Sequence, residues 1–474
     1  MLTWTERALR HAFRAGTPLD AGGAPVRAAV IAELLLAGPP ARPGRTARVD
    51  LAGARITGRL DLTGARFDAP LRLRRCTFDE PLVLDHAEIG SVNLDECELP
   101  SIDAESLRVR RWFGLRHARV AAGAWLHHIV VGGGLDLSGT TFGAEVDVQR
   151  AVVDGDAKLG HGTVYPAGVR IDGARIAGDL NIANATARAA APDATAIRAS
   201  GAVVGGGIWL HGTVAEGLVM LIGVRAEGAI TLQGTVLRAA EGSALLLIEA
   251  RTAMLTLRPA PDSVGAIVLR DAHVGRLVDD PATWPPACTV ELAGLTYDRI
   301  SRRSDDTTAW TARERLAWMA RFDAAFTPGP YDQLAAALRR DGREGEARQV
   351  LRVRERRRHR AMGRLGASWG AVQDATIGFG YRPARALLWL IAVLAGGSTW
   401  FALHGPLAPV KPGESPTWDP LLYTLDLLVP LVDLGHEHAW NPVGADKAVA
   451  VLVMAAGWVL ATTVVTGAGR ALGR

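Results

Sequence analysis

The chain has 474 residues, with 53 lysines and arginines against 49 aspartates and glutamates and a formal net charge of +4 at pH 7. Its 53 glycines, its aromatic content of 6% and its mean hydropathy of +0.13 suit closely stacked backbone better than a bulky globular core. The three cysteines form no CxxC pair, which argues against a disulfide scaffold and against a structural zinc site.

The N-terminal residues, 1–44, predict a helical cap. The opening stretch MLTWTERALRHAFRAG lacks the apolar core of a signal peptide. The run AAVIAELLLAG over 28–38 carries Glu33 and predicts a helix that stops near Gly38.

A repeat with a period of eleven residues fills residues 45–300. LDLTGARFDAP, LRLRRCTFDEP and LVLDHAEI follow one another from Leu60 to Ile89 and share one pattern. The unit begins at Val49, Leu60, Leu71, Leu82, Val92, Ile102, Phe113, Ala124, Leu135, Val146, Ala157, Val169, Leu180, Ile197, Ile208, Val219 and Ile230, with echoes at Ile267 and Val290. A fixed period over such a length predicts a solenoid.

The phase of the unit predicts its fold. Apolar residues at positions one and three alternate as in a strand, and position six is small while position eight is apolar. The predicted interior residues of the three opening units are Leu60, Leu62, Ala65, Phe67, Leu71, Leu73, Cys76, Phe78, Leu82, Leu84, Ala87 and Ile89. Cys97 occupies the same small position as Cys76, so we expect the two to stack as buried thiols.

LDLTG followed by ARFDA resembles two pentapeptide repeats with one residue added to each pair. This resemblance implies a mainly β, right-handed quadrilateral solenoid, in which two units make one coil of about 22 residues. About eleven coils at about 4.8 Å each would give a rod of roughly 50 Å.

Two features of the repeat region allow other interpretations. The glycine runs VVGGGLDL (130–137) and VVGGGIWL (203–210) lack the GxGxxG spacing of a nucleotide site and are interpreted as corners of the coil. The densest acidic cluster is interpreted as solvated surface, with catalysis on an outer face of the solenoid as the alternative; it comprises Asp95, Glu96, Glu98, Asp103 and Glu105. Mimicry of DNA is a further alternative for the solenoid surface, but its excess of acids over bases is weak.

Residues 301–384 predict a cytoplasmic helical region. Residues 331–360 are typical of a helical hairpin, and thirteen arginines face five acids between Arg339 and Arg385. We expect this basic region to lie on anionic lipid headgroups, which explains the charge without nucleic-acid binding. The headgroup candidates are Arg352, Arg354, Arg356, Arg357, Arg358 and Arg360.

Residues 385–474 predict a membrane domain. Two apolar runs, about 386–404 and 448–469, are each long enough to cross a bilayer as a hairpin, and the segment at about 418–434 is too short and acidic to span. This layout also resembles two-helix channels, but the filter sequence TVGYG is absent. His436, His438 and Asp433 are weak metal candidates without a further well-placed ligand.

Charge predicts the orientation. Arginine crowds the approach to the first run, whereas residues 405–446 contain one lysine and six acids. The positive-inside rule then places both termini and the solenoid in the cytoplasm, with the chain a multi-pass membrane protein.

Four longer motifs stand out along the chain: LAGARITGRLDLTGARF, ELAGLTYDRI, YDQLAAALRRDGREGEARQVL and WDPLLYTLDLLVPLVDLGHEHAWNP. Through them, nearly the whole chain resembles a group of actinobacterial membrane proteins often labelled membrane-associated oxidoreductases. This resemblance implies a place in a bacterial inner membrane and redox activity, but the sequence contains no dinucleotide fingerprint, CxxC, HExxH or GxSxG motif.

From the residues themselves we expect a scaffold or adaptor. A protein partner would bind a face of the solenoid, the bilayer would hold the C-terminal region, and the hairpin could mediate homo-oligomers. No cofactor and no nucleic-acid partner are expected. The alternatives are an oxidoreductase, as the resemblance implies, or a small pore.

Overall fold

A computed structural model describes residues 1–40, 43–191, 194–303, 311–322, 326–364, 366–368, 371, 383–411, 413, 416–429 and 433–472. The side chains of 240, 383–386 and 461–472 are not described. The chain divides into two compact units, Met1–Gly342 and Arg343–Arg474.

The structure gives the bounds of eight helices. In the first unit they are α1 (Trp4–Ala15), α2 (Ala28–Ala37), α3 (Ala312–Met319) and α4 (Gly329–Arg340), with a 3-10 turn at Pro281–Thr283. In the second unit they are α5 (Glu344–Ala361), α6 (Pro383–Leu403), α7 (Pro420–Leu428) and α8 (Ala445–Leu472).

The first unit is a parallel β-solenoid of about eleven coils, as the repeat predicts. Each early coil adds one short strand to each of four parallel ladders. The first ladder contains Leu19–Asp20, Val49–Ala52, Leu71–Arg74, Val92–Asp95, Phe113–Gly114, Leu135–Asp136, Ala157–Lys158, Leu180–Asn181 and Ile208–Trp209. The second contains Pro25–Arg27, Arg55–Thr57, Thr77–Phe78, Glu98–Leu99, Arg119–Val120, Thr141–Phe142, Val164–Tyr165, Thr186–Arg188 and Val214–Glu216.

The other two ladders complete each coil. The third contains Leu60–Asp61, Leu82–Val83, Ile102–Asp103, Ala124–Trp125, Val146–Asp147, Val169–Arg170, Thr195–Arg198 and Leu218–Met220. The fourth contains Arg66–Phe67, Glu88–Ile89, Arg108–Val109, Val130–Val131, Val152–Val153, Arg175–Ile176 and Val203–Val204.

In the last coils the corners straighten and the strands lengthen. The fourth and first ladders join in Arg225–Thr231, Arg251–Leu257, His273–Asp279 and Thr296–Ser301. The second and third ladders continue in Val236–Leu246, Val264–Val268 and Cys288–Glu291. The C-terminal coils therefore present broader faces than the N-terminal ones.

The register explains the repeat. Leu60 pairs with Leu82, and Val49 pairs with Leu71, so equivalent residues stack 22 positions apart. All of the interior residues predicted between Leu60 and Ile89 are buried. The confirmed coil length of about 22 residues follows from stacking two eleven-residue units in each turn. The right-handed sense of the coil stays a prediction.

The fifth position of the unit turns the chain. Gly64, Arg75, His86 and Glu96 have φ angles of 66°, 53°, 56° and 57°. This left-handed conformation favours glycine, asparagine or a short polar residue over a β-branched one. The turn sets the corner after the first three residues of each unit.

In the units that join the first ladder to the second, position six forms an interior column of small donors. Thr163, at position seven of a unit with one extra residue, continues this column. The Thr163, Thr213 and Thr235 hydroxyls donate to carbonyls of the preceding coil at 3.1, 2.9 and 2.7 Å. The thiols of Cys76 and Cys97 reach the carbonyls of Leu51 and Leu73 at 3.7 and 3.3 Å. A larger side chain would not fit beside the backbone of the neighbouring coil.

The glycine runs lie at a corner between the fourth and first ladders. A chain of backbone hydrogen bonds of 2.8 to 3.0 Å joins one glycine of each coil to a glycine of the preceding coil. Gly155 donates to Gly133, Gly178 to Gly155, Gly206 to Gly178 and Gly228 to Gly206. A Cβ on Gly133 would lie 1.9 Å from a backbone oxygen, so the column requires glycine there. This close packing of backbone accounts for the glycine runs without a nucleotide.

The N-terminal end of the solenoid is covered by α1 and α2. Thr3 and Glu6 form a capping box at the start of α1. The buried Glu6 carboxylate also accepts from Nε of Arg27, at 2.7 Å, on the first strand of the second ladder. One ion pair thus joins the helical cap to the first coil.

Helices α3 and α4 pack at the other end of the solenoid. Arg315 of α3 pairs with Asp279, and Trp318 stacks edge-on against Trp284 with ring centroids 5.1 Å apart. Arg340 of α4 donates to the carbonyl of Tyr297 at 2.7 Å. These contacts cover the last coil, so its interior is not left open.

In the second unit, α6, α7 and α8 pack together. Their shared core contains Phe401, Leu407, Tyr423, Leu427, Leu428, Trp440, Ala450 and Val453. Gly397 and Gly457 allow close approach, since a Cβ there would lie 2.6 Å from Thr424 and 2.2 Å from the oxygen of Leu428. Small residues therefore set the spacing of the three helices.

Candidate interaction surfaces

A groove of about 1070 Å³ crosses the outer surface of the C-terminal coils. It runs over five successive strands of the fourth ladder and ends at α4. Its lining is Val203, Val204, Arg225, Ala226, Glu227, Arg251, Thr252, Ala253, His273, Val274, Gly275, Thr296, Tyr297, Asp298, Gln333 and Arg340. We call this surface the C-terminal groove.

Basic side chains lie at matching positions of three successive strands at the centre of this groove. We call each such strand of a ladder a rung. Arg225 is the register partner of Arg251, and Arg251 is the register partner of His273. All three are exposed. Neither arginine forms an ion pair with any residue that the structure describes. By contrast, Arg270 on the same coils pairs with Glu291 on the next coil at 2.7 Å.

The floor and ends of the groove differ from its centre. Ala253 and Gly275, which carry little or no side chain, line the groove beside the basic residues. Val203, at one end, is 44% exposed and offers an apolar contact. At the other end Arg340 pairs with Asp298 and Gln333 donates to the carbonyl of Tyr297. The groove is thus open and apolar at one end and closed and polar at the other.

The acidic cluster of residues 95–105 is divided between three ladders. Asp95, on the first ladder, pairs with Arg116, and Glu98 lies on the second. Asp103 lies on the third beside Trp125, which is 41% exposed. Burial, with Asp85 nearby, raises the pKa of Asp103. The residues that are contiguous in sequence therefore form no single acidic surface.

The three cysteines are free and buried. The sulfur of Cys76 and burial together raise the pKa of the Cys97 thiol. Burial raises the pKa of Cys288 to about 11. A thiol must ionise to act as a nucleophile, so the raised pKa values of Cys97 and Cys288 do not favour thiol chemistry at those two positions. The hydrogen bond with Cys97 instead lowers the pKa of the buried Cys76 thiol.

The basic candidates for lipid binding lie along α5. Arg352, Arg354 and Arg357 are partly exposed, while Arg356, Arg358 and Arg360 are exposed. Arg354 and Arg358 contact Glu355 at 2.6 and 3.8 Å. Among these candidates, the exposed positive charge therefore comes from Arg356, Arg358 and Arg360.

The three-helix part of the second unit carries large apolar side chains on its outer surface. Those that are exposed on the helices are Leu387, Leu388, Trp389, Ile391 and Leu403 of α6, Leu421 and Leu422 of α7, and Val451, Leu452, Trp458 and Val459 of α8. Soluble monomers rarely expose so many large apolar side chains together.

Within the part of the chain that the structure describes, none of the helices combines the length and apolar character that crossing a bilayer requires. The predicted runs 386–404 and 448–469 also include positions, 386 and 461–469, whose side chains lie outside the described set.

The weak metal candidates do not converge. His436 is buried, whereas His438 and Asp433 are exposed. The backbone N–H of His436 donates to Asp426 at 2.8 Å, and Asp433 accepts from Gly435 at 2.8 Å. Among the described residues, no group of three or more His, Cys, Asp or Glu could hold a metal ion.

Asp426 has a structural role that the sequence did not indicate. Its buried carboxylate accepts backbone hydrogen bonds from Leu434, His436 and Glu437 at 2.7, 2.8 and 2.7 Å. It thereby holds the backbone of residues 434–437. An acidic residue inside an apolar run is the one signal that could have pointed to it.

Comparison with known proteins identifies no relative: no family model matches the chain, and neither a curated protein nor a solved structure is significantly similar to it.

Sequence reasoning also missed the C-terminal groove. Arg225 and Arg251 are 26 residues apart, whereas Arg251 and His273 are 22 residues apart. The insertions in the last coils thus interrupt the eleven-residue period that would have aligned these side chains.

Proposed function

We propose that the protein is a membrane-anchored scaffold, in which the cytoplasmic solenoid binds a protein partner and the C-terminal unit attaches to a bilayer. The observation that carries the proposal is the outer apolar surface of α6, α7 and α8. Burial of such surface in hydrocarbon gains about 25 cal/mol per Å². The basic helix α5 precedes these helices in the chain, and its arginines suit anionic headgroups.

The binding role rests on the solenoid. Its interior is filled by stacked side chains, so the functional surface is the outer one. Straight parallel ladders present side chains at about 4.8 Å intervals on rigid backbone. Rigid, extended surfaces of this kind lower the entropic cost of binding a protein.

Crosslinking in native membranes tests both parts of the proposal. A photoreactive amino acid is introduced at exposed solenoid positions, one on each ladder: Arg72, Thr77, Trp125 and Val203. Mass spectrometry then identifies the captured species, and an absorbance spectrum of the purified chain is recorded. We expect one protein to be captured in a saturable way from one face.

Two results would contradict the proposal. Recovery of the chain in the soluble fraction after gentle lysis would rule out the bilayer attachment. Absence of any saturable protein crosslink on all four faces, together with stoichiometric flavin, haem or iron–sulfur absorbance, would favour the oxidoreductase instead.

A further inference from the structure

The C-terminal groove is elongated along the solenoid axis. Its lining comes from five consecutive rungs of one ladder, represented by Val203, Arg225, Arg251, His273 and Thr296. At about 4.8 Å per rung these positions span roughly 19 Å. A compact metabolite would leave part of this length unoccupied, whereas an extended peptide of about six residues matches it at about 3.3 Å per residue.

The charges of the groove select the chemistry of that peptide. Arg225 and Arg251 lie on adjacent rungs, and like charges in such register repel each other unless an anion lies between them. Nδ1 of His273 lies 2.9 Å from the carbonyl oxygen of Asp271 and donates to it, which leaves Nε2 for a second contact. Carboxylates placed over the two arginines would gain charge-assisted hydrogen bonds.

One acid in the same groove argues against a uniformly charged polyanion. Glu227 and Asp298 both line the surface and are exposed, but Asp298 is paired with Arg340. Glu227 would repel a ligand that carries a negative charge on every unit, such as a nucleic acid strand. A peptide that carries a few acidic residues among apolar ones can place its carboxylates on the basic rungs and avoid Glu227.

We propose that the C-terminal groove binds an extended acidic peptide segment of a partner protein. Two carboxylates of the peptide contact Arg225 and Arg251, and an apolar residue packs on Val203. Helix α4 stops the peptide at the other end, where Arg340 and Gln333 contact the carbonyl of Tyr297. This inference rests on the proposed scaffold function and names the chemistry of its partner.

Fluorescence anisotropy with the full-length chain in uncharged lipid nanodiscs tests the inference. The probe is a labelled hexapeptide of alternating valine and glutamate, and the matched peptide carries glutamine in place of glutamate. The test variant is Arg225→Gln with Arg251→Gln. The control variant is Arg108→Gln with Arg175→Gln, which removes two exposed arginines from the same ladder outside the groove.

We expect the test variant to weaken binding of the glutamate peptide by about tenfold or more, and the control variant to change it by less than about twofold. The glutamine peptide should bind wild type about as weakly as the glutamate peptide binds the test variant. Equal losses in both variants, or equal binding of both peptides, would overturn the inference. Tighter binding of a labelled single-stranded oligonucleotide than of the glutamate peptide would also overturn it.

This result is independent of the crosslinking experiment. A partner captured through another face, with no peptide binding in the groove, would reject the inference and leave the scaffold function intact. Failure to capture any partner would instead contradict the scaffold function itself.

Discussion

Arg315 on α3 and Asp279 on the long strand His273–Asp279 form an ion pair in which each side chain is only 2% exposed. The Arg315 guanidinium also lies over the Trp318 ring, 4.0 Å from its centroid. A buried charge is costly unless it is paired, so each of the two residues depends on the other. Their contact attaches α3 to the end of the solenoid.

We predict that Arg315→Ala destabilises the unit of residues 1–342 by about 3 to 5 kcal/mol, because it leaves Asp279 charged and buried. The matched control is Arg270→Ala, which removes the exposed pair with Glu291 and should cost about 1 kcal/mol or less. Urea unfolding followed by circular dichroism measures both. Similar losses in the two variants would show that the buried position of Arg315 has no special importance.

The end helices also matter as a cover. Tyr297 and Ile300 of the last coil are buried in the presence of α3 and α4. We predict that a chain ending at residue 300 aggregates or melts at a lower temperature than one ending at residue 342, since the truncation exposes these side chains. Light scattering during a thermal scan measures the difference. Identical behaviour of the two chains would mean that the solenoid needs no cover at this end.

The phase of the repeat can be tested at two adjacent residues. Ala87 is fully buried, whereas Glu88 points outward and pairs with Arg66 at 3.5 Å. We predict that Ala87→Arg costs about 4 kcal/mol or more, because the interior cannot solvate the charge. Glu88→Gln should stay within about 0.5 kcal/mol of wild type. Equal shifts in melting temperature would show that the inward and outward positions are misassigned.

The solenoid could be predicted from the sequence because its interior contacts repeat with a fixed period. Each eleven-residue unit repeats the same inward positions. The contact between Leu60 and Leu82, which are distant in the chain, can therefore be predicted from their equal positions in units that stack on each other. The ends of the solenoid break the period, and their contacts could not be predicted in the same way. Arg315 and Asp279 are 36 residues apart and belong to no repeat. The same holds for the C-terminal groove, where insertions change the spacing of the rungs.

Acid should weaken the N-terminal cap through Glu6. Its hydrogen bonds with Arg27 lower the pKa of the Glu6 carboxyl to about 2. A folded-state pKa below the unfolded value means that the ionised carboxylate stabilises the fold above pH about 4.5, and that this contribution is lost as the pH falls towards 2. We predict that Glu6→Gln lowers the melting temperature at pH 7 and that the difference from wild type closes near pH 2. A constant difference across this range would contradict the assignment.

The predicted orientation of the C-terminal unit can be tested by labelling with a membrane-impermeant maleimide. Cys288 is buried, so its protection would not report the side of the membrane. A cysteine-free background is feasible because alanine already fills the slots equivalent to Cys76 and Cys97 at Ala54 and Ala118. Into it we introduce Val410→Cys, at an exposed position between α6 and α7, or Glu80→Cys, in an exposed turn of the solenoid.

The positive-inside arrangement predicts opposite behaviour for the two cysteines. Position 410 should be labelled in intact cells, and position 80 should be labelled only after the cells are permeabilised. The reverse pattern would mean an inverted orientation. Protection of both positions in intact cells would mean that the connection does not cross the membrane, and labelling of both would mean that the solenoid is not cytoplasmic.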